Sequence, residues 1–298
     1  MRTKRSGPEA FEDAYAALFG SRWEGLKAAL LGKRDLRPWA HPGFAPYFLD
    51  SGSIACALAL PLSGARAIFD CCAAPGGKSL VLASVMDSGA ALHANDRSPG
   101  RARRLRDALG QCLPPDILSR VSVTGMDAGK LARNRSSGTP GPYDAILLDA
   151  PCSSERHVLS APAHLARWSP GRGRNLAVRQ WALLSAAFRL LKAGGVLVYA
   201  TCALNPAEND GVVSRLLGKF PAARLFQPPP PPEGASAFFP GSLPGAEKTD
   251  LGFRILPDLC AGAGPMFFAC VRKAGDDAGS DDVDAVDDAG SDGDGGGA

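Results

Sequence analysis

From Ala67 onward, short apolar runs alternate with segments of helical periodicity, and this alternation constrains the fold more than any other feature. The runs Ala67–Cys71, Ala91–Asn95, Val121–Gly125, Tyr143–Asp149 and Val196–Thr201 read as strands. Helices fill the gaps at about 77–86, 98–110, 175–192 and 206–218. Such alternation implies an α/β fold with a doubly wound, mostly parallel sheet covered on both faces. Phe253–Leu256 and Pro265–Val271 read as a closing strand pair. Ahead of the sheet, Phe11, Tyr15, Leu18 and Phe19, then Trp23, Leu26, Leu30 and Leu31, recur at helical spacing and predict two helices over 8–31. A Pro-punctuated linker runs from Arg37 to Pro46. The predicted organisation is a helical extension over 1–45, a main domain over 46–274 and a tail over 275–298.

The tail is acidic and almost devoid of apolar side chains, so it is expected to be disordered. It holds nine Asp and no Lys or Arg between Asp276 and Asp294. Without those nine the chain has 33 basic against 21 acidic residues, a surplus that favours a polyanionic partner. A five-proline run at Pro228–Pro232 predicts a surface polyproline loop. No apolar run approaches the length of a membrane span, and the N-terminus carries no secretory pattern. The eight cysteines form no C-x-x-C pair and the four histidines do not cluster with them, so no metal site is expected. Unpaired thiols in this number fit a reducing, cytoplasmic setting. A monomer is expected.

The segment Phe69–Leu80, FDCCAAPGGKSL, ends in a Gly-Lys-Ser that also closes phosphate-binding loops. Such a loop needs Gly five positions before Gly77, and Cys72 stands there. Asp70 heads the turn, where an acid opposes phosphate. Nineteen residues past Gly77, Asp96 follows the second strand, a place where an acid in nucleoside-binding folds accepts hydrogen bonds from ribose. Asp127 follows the third strand and Asp149 ends the fourth. Four acids at four successive strand ends would repel a triphosphate. They suit a sulfonium cation joined to ribose and adenine, which is S-adenosylmethionine. Glycine lets the backbone of the turn approach such a ligand closely.

Cys152 lies just past the fourth strand and Cys202 just past the fifth. These strands neighbour each other in a doubly wound sheet, so both thiols should face one pocket. Methyl transfer to oxygen or nitrogen needs no thiol, whereas methylation of a pyrimidine at ring carbon 5 does. A thiolate adding to carbon 6 turns carbon 5 into a nucleophile, while an acid supports ring nitrogen 3; Asp149 is placed for that role. Lys78 is the candidate for positive charge that favours thiolate. The residues alone do not rank the two cysteines.

Four blocks then carry a resemblance: Asp70–Ser79 (DCCAAPGGKS), Asn95–Leu105 (NDRSPGRARRL), Tyr143–Ser153 (YDAILLDAPCS) and Tyr199–Asn209 (YATCALNPAEN). In order and spacing they resemble the Sun/RsmB-type RNA (cytosine-5) methyltransferases, over about residues 46–273. The resemblance implies a Rossmann-like class I methyltransferase fold forming 5-methylcytosine through a covalent cysteine adduct. It implies that Cys202 is the nucleophile and that Cys152 assists product release. It further implies cofactor contacts by Cys72, Ala73, Ala74, Pro75, Gly76, Gly77 and Lys78, by Asp96 to ribose, by Asp127 to adenine, and by Arg101 and Asp149. The continuation Ser154-Glu155-Arg156-His157 is closer to the mitochondrial ribosomal-RNA branch, which points to ribosomal RNA ahead of transfer RNA. Ala203 stands where Ser is usual.

For RNA contact, Arg167, Arg172 and Arg174, interleaved with Trp168 close to the Cys152 loop, combine phosphate-binding cations with a ring able to stack on a base. The target cytosine must leave its stack to reach a pocket at strand ends, so opened or single-stranded RNA is expected. With no large added RNA-binding module apparent, a protein partner could select the target. The competing readings are a P-loop-like ATPase, against which Cys72 and Asp96 stand, and a non-catalytic RNA-binding or ribosome assembly protein.

Overall fold

A computed structural model describes residues 6–131, 141–228, 230 and 245–275. The acidic tail from 276 lies outside the described residues, as does most of the five-proline run. In chain order, α1 (Pro8–Phe19) and α2 (Trp23–Leu31) are joined by one 3-10 turn. Strands β1 (Leu36–Trp39) and β2 (Tyr47–Asp50) and helix α3 (Ser51–Leu58) follow. The alternating part comprises β3 (Ala67–Asp70), α4 (Gly77–Val85), β4 (Ala91–Asn95), α5 (Pro99–Cys112), α6 (Pro115–Leu118), β5 (Val121–Thr124), α7 (Ala128–Leu131) and β6 (Tyr143–Asp149). It continues with α8 (Glu155–Ser160), α9 (Pro162–Leu165), α10 (Gly171–Leu190), β7 (Leu191–Thr201) and α11 (Asp210–Lys219). The last strands are β8 (Ala223–Leu225), β9 (Glu247–Lys248), β10 (Phe253–Ile255) and β11 (Met266–Lys273).

The main sheet runs in the order β5-β4-β3-β6-β7-β11-β10-β9, with β8 also on β11. Strands β3 to β7 are parallel, and β11 returns antiparallel to β7, from Phe267↔Thr201 to Arg272↔Val196. The order reverses between β3 and β6, which opens a crevice at the carboxyl ends of those two strands. Alternate side chains feed two separate cores. Ile68, Ala145, Leu147 and Val198 face α3, α4 and α5. Phe69, Ile146, Leu148, Leu197 and Tyr199 face α10 and α11. Near-continuous apolar strands are what such double coverage requires.

The region expected to be a linker is ordered differently. β1 and β2 pair antiparallel, Pro38 opposite Phe48 and Trp39 opposite Tyr47, and α3 follows at once. Pro38 donates no amide to a ladder, and it sits in a two-stranded sheet, where one side of each strand is free. Asp50 caps α3 by accepting from Gly52 N at 2.9 Å. Helix α10 begins at Gly171, earlier than predicted, since Gly171 and Gly173 read as breakers.

A third core joins α1 and α2 to the rest. Phe11, Tyr15, Trp23, Leu26 and Leu30 pack with Val158, Trp168, Leu204 and Leu256. Arg22 anchors the other side, bonding Asp258 at 2.6 Å and Glu247 at 2.9 Å.

Two substitutions test this packing. Phe11, fully buried between Tyr15, Trp23 and Trp168, is expected to cost about 3–5 kcal/mol when changed to Ala. Gly76 has φ +125°, a conformation other residues adopt only under strain. A Cβ there would lie 3.2 Å from Leu105. Gly76→Ala is therefore expected to cost about 1–3 kcal/mol. Urea denaturation followed by circular dichroism measures both; an unchanged midpoint for either contradicts the packing described.

Candidate active site

The turn leaving β3 is shaped from two sides. Cys71 N donates to Leu147 O at 2.9 Å and Ala73 N to Asn95 O at 2.8 Å, which moors the turn to both neighbouring strands. Gly76 packs on Leu105 and Ala108 of α5, and Gly77 on the Tyr47 ring, which lies 2.9 Å from where a Cβ would stand. Cys72 to Pro75 and Gly77 line an open cavity of about 320 Å³ together with Tyr47, Phe48, Asp50, Ser53, Lys78 and Asp149. This glycine cradle and the acids beside it fit an adenosyl cation better than a phosphate chain.

The acids expected at the strand ends occupy distinct environments. Asp70 is fully buried and accepts from Ser79 Oγ at 2.7 Å. Burial pushes its carboxyl up to about 7, opposed by that hydrogen bond. Asp96 accepts from Ser98 N at 2.9 Å and from Arg101 Nε at 3.0 Å. Arg101 also donates to Ala74 O at 2.6 Å, so it braces Asp96 against the turn. Asp127 accepts from Gly129 N at 3.2 Å at the start of α7 and lies 3.4 Å from Arg97 Nη1. Asn95 ties the strand ends together, donating to Cys71 O and Met126 O and accepting from Thr124 Oγ1 and Met126 N. Asp149 lies 2.7 Å from Lys78 Nζ, which also reaches Ser53 Oγ at 3.4 Å. Burial works against the Lys78 charge, but Asp149 outweighs it and holds the ammonium above the usual lysine range.

The two thiols meet. Register pairs Asp149 with Ala200, and Ala150 N donates to Ala200 O at 2.8 Å, so both chains leave the sheet side by side. Cys152 Sγ and Cys202 Sγ are 3.1 Å apart. Ser154 Oγ lies 3.2 Å from Cys202 Sγ and 3.5 Å from Cys152 Sγ. Ser154 holds this place with a left-handed backbone, φ 53°. The hydrogen bond from Cys152 holds Cys202 below the usual thiol range, against burial, with Ser154 acting in the same direction. The same bond, with burial, pushes the Cys152 thiol well up. Of the two thiols, Cys202 is therefore the one more readily ionised.

Two buried carboxylates brace these loops, and sequence reasoning assigned neither. Glu155 is fully buried and accepts from Tyr15 Oη at 2.5 Å, from Ser153 Oγ and from Leu204 N at 2.9 Å. It therefore links α1, the Cys152 loop and the Cys202 loop. Glu208 accepts from Ser153 N and Gln180 Nε2, both at 2.9 Å. Thr201 Oγ1 donates to Asn209 Oδ1 at 2.6 Å, and Asn209 Nδ2 to Ala203 O at 2.9 Å. No sequence pattern links Tyr15 to Glu155 across such a separation. The only hint was the polar residues clustered beside each cysteine.

The expected RNA contacts divide. Arg167, Arg172 and Arg174 are exposed. Trp168 is not available for stacking: it is 5% exposed, with Phe11 and Tyr15 against its ring at 5.1 and 5.9 Å. Its aromatic surface completes the core under α1 instead. Among the described residues no cluster of His, Cys, Asp and Glu suited to a metal was found, and no helix is long and apolar enough to cross a membrane.

The chain is 37% identical over 172 residues to the mouse mitochondrial tRNA (cytosine(34)-C(5))-methyltransferase, covering 57% of this chain and 48% of that protein. It is 36% identical over 211 residues to ribosomal RNA small subunit methyltransferase F of Escherichia coli O139:H28, covering 69% and 40%. The chain thus spans about half or less of the curated relatives it matches. The crystal structure of NSun6 from Pyrococcus horikoshii with SFG superposes with a TM-score of 0.57 at 30% identity, over 78% of this chain and 53% of that one. The structure of PH0851 superposes at 0.65 with 19% identity, over 92% and 70%, which bears on the fold alone. The profile of the 16S rRNA methyltransferase RsmB/F family matches residues 57–253, and the chain belongs to that family.

Proposed function

We propose that this protein is an S-adenosylmethionine-dependent RNA (cytosine-5) methyltransferase, acting through a covalent bond between Cys202 and carbon 6 of the target cytosine. The observation that carries this reading is the sulfur pair, 3.1 Å apart, at the mouths of neighbouring strands beside the Lys78–Asp149 ion pair. Ribosomal RNA is the proposed substrate pool, supported by the description of the family and by the E. coli relative, which matches the larger share of the chain. Transfer RNA is the second reading, supported by the mouse relative. The catalytic domain is taken as 46–274, preceded by an extension over 1–45 whose helices α1 and α2 pack against it, and the proposed setting is the cytoplasm.

The cofactor, when bound, supplies an electrophilic methyl group. Cys72 to Lys78 would hold it along the turn, Asp96 at the ribose and Asp127 at the adenine, with Arg101 keeping Asp96 and the turn in place. Cys202 thiolate adds to carbon 6 of the ring, and the electrons of the carbon 5–carbon 6 double bond move to carbon 5. Asp149 hydrogen-bonds ring nitrogen 3, which must carry a proton as charge builds there. Lys78 keeps a positive charge beside both Asp149 and the thiolate. After methylation, a base takes the carbon 5 proton, the electrons of that bond restore the double bond, and Cys202 leaves as thiolate. Cys152, already hydrogen-bonded to that sulfur, assists its departure.

Tritiated methyl transfer to total RNA, separated into ribosomal and transfer pools, tests this directly. Wild type is expected to label cytosine carbon 5 in the ribosomal pool. Cys202→Ala is expected to lose at least about a thousandfold in rate, as loss of a nucleophile does elsewhere. Cys152→Ala is expected to accumulate a denaturation-resistant protein–RNA adduct, visible as a shifted band in a denaturing gel. Labelling that survives Cys202→Ala would sink the covalent mechanism, and label in transfer RNA alone would move the substrate to the second reading.

The proton relation between the sulfurs gives a pH test. Cys202 must be ionised, so its reactivity falls as pH drops through a value below the usual thiol range, not at it. Removing the Cys152 donor should raise that value. Alkylation of Cys202 by iodoacetamide, followed by peptide mass spectrometry from pH 5 to 10, is expected to show the midpoint at higher pH in Cys152→Ala. An unmoved midpoint would mean that the short sulfur contact does not share a proton.

A further inference from the structure

One partly buried cation near the site, Arg156, has no role in the mechanism above. Arg156 follows Glu155 on the Cys152 loop. Its Nε and Nη1 are buried and make no hydrogen bond among the described residues. Its Nη2 reaches Gly262 O at 3.5 Å. That carbonyl also accepts from Asp35 N at 3.3 Å, which sets Arg156 beside the segment carrying Arg34. Arg34 lines the cavity and is about half exposed, its Nε 3.9 Å from Asp50 Oδ2.

The charges here do not balance. Burial lowers the hold of Arg156 on its proton; Asp50 and Cys202 oppose that effect and Arg34 adds to it. Asp50 is the acid that faces both guanidinium groups; burial raises its carboxyl above the usual range, and its Oδ2 is itself buried without a hydrogen bond among the described residues. Asp35 is engaged elsewhere, by Arg37 Nε at 2.9 Å and Ser51 Oγ at 2.6 Å. Guanidinium nitrogens buried without partners, as Nε and Nη1 are here, are costly unless a ligand meets them. The neighbourhood calls for an anion between Arg156 and Arg34.

We propose that Arg156, together with Arg34, grips the 5′ phosphodiester of the target nucleotide and so positions its base over Cys202. This rests on the RNA reading given above. The stereochemistry of a nucleotide supports it. In the usual anti conformation, the 5′ phosphate lies on the same side of the sugar as ring carbon 6, the atom Cys202 would attack. Arg156 lies within electrostatic reach of Cys202, so one guanidinium near the sulfur meets that phosphate when carbon 6 meets the thiolate. Arginine donors suit a phosphate through charge-assisted hydrogen bonds. Arg156 is a positioning residue, not a participant in bond making.

The test measures binding of the full chain to a fluorescent single-stranded 12-nucleotide RNA with one central cytosine, by anisotropy from 50 to 250 mM KCl. Each phosphate neutralised on a single strand contributes about 0.7 to the slope of log affinity against log salt. Arg156→Gln is expected to reduce that slope by about 0.7 and weaken binding by roughly tenfold at 100 mM KCl, while Arg156→Lys keeps the slope. A neutral methylphosphonate at the 5′ linkage of the cytosine should weaken wild type to a similar degree and cost Arg156→Gln nothing further. A merely structural role would not produce that linkage-specific loss of effect. Binding of S-adenosylhomocysteine and a thermal melt check that each variant is folded. An unchanged salt slope, or an equal methylphosphonate penalty in wild type and Arg156→Gln, would overturn the proposal. So would a shift in the pH midpoint of Cys202 alkylation with RNA binding intact, which would make Arg156 a support for the thiolate. Methyl transfer by wild type is scored separately. Its absence, with the salt and linkage effects present, would sink the enzymatic reading and leave the phosphate grip standing.

Discussion

The parallel pairing of β6 with β7 is the constraint on which the rest of the site depends. Its register, Leu148 opposite Tyr199 and Asp149 opposite Ala200, decides where two loops leave the sheet. Strand side chains alternate between faces, so a slip of one residue would exchange the two cores beneath these loops. If β7 slipped, Val198 would face α10, and Leu197 and Tyr199 would face α4. The penalty for that exchange is spread over many apolar side chains, far more than the energy of any contact between the sulfurs. Position at the active site is therefore set by burial in the sheet, and the polar contacts only refine it.

The refinement is nevertheless expensive. Glu155 and Glu208 are both fully buried, and placing carboxylates away from water is unfavourable unless their oxygens are met. Glu155 is met by donors from three parts of the chain, whereas one oxygen of Glu208 has no hydrogen bond among the described residues. Burial accordingly pushes the Glu208 carboxyl up. Polar networks of this kind specify a single geometry more than they stabilise the fold. Their location, next to the cysteines and Ser154 with its left-handed backbone, agrees with local rules yielding where chemistry is to be done.

Much of the fold was legible because the signals were local. Strands β3, β4 and β6 are mainly apolar runs closed by Asp70, Asn95 and Asp149, and the longer helices repeat at their own period. The turn from Asp70 to Ser79, the strand-end acids and the two cysteines could be ordered along the sheet by the same logic. What was illegible depended on contacts between distant segments. Three prolines between Arg37 and Pro46 suggest an irregular linker, yet Pro38 fits a strand opposite Phe48. Trp168 among arginines looks like a stacking platform. Only the third dimension brings Phe11 and Tyr15 onto its ring. Glu155 and Arg156, adjacent in sequence, stand out there only as part of a continuation that resembles one branch of the family. One is a fully bonded anion and the other a cation with donors to spare, and nothing in their spacing distinguishes them.

The hydrogen bond from Tyr15 to Glu155 has a consequence for local opening. If α1 lifts away, Glu155 loses a donor and Trp168 loses the rings that cover it, while the Leu204 amide is left on a carboxylate newly open to water. These elements cannot come apart one at a time at low free energy. They form one cooperative unit within the larger protein. Amide exchange at Leu204, two residues past Cys202, is thereby tied to the opening of the first helix.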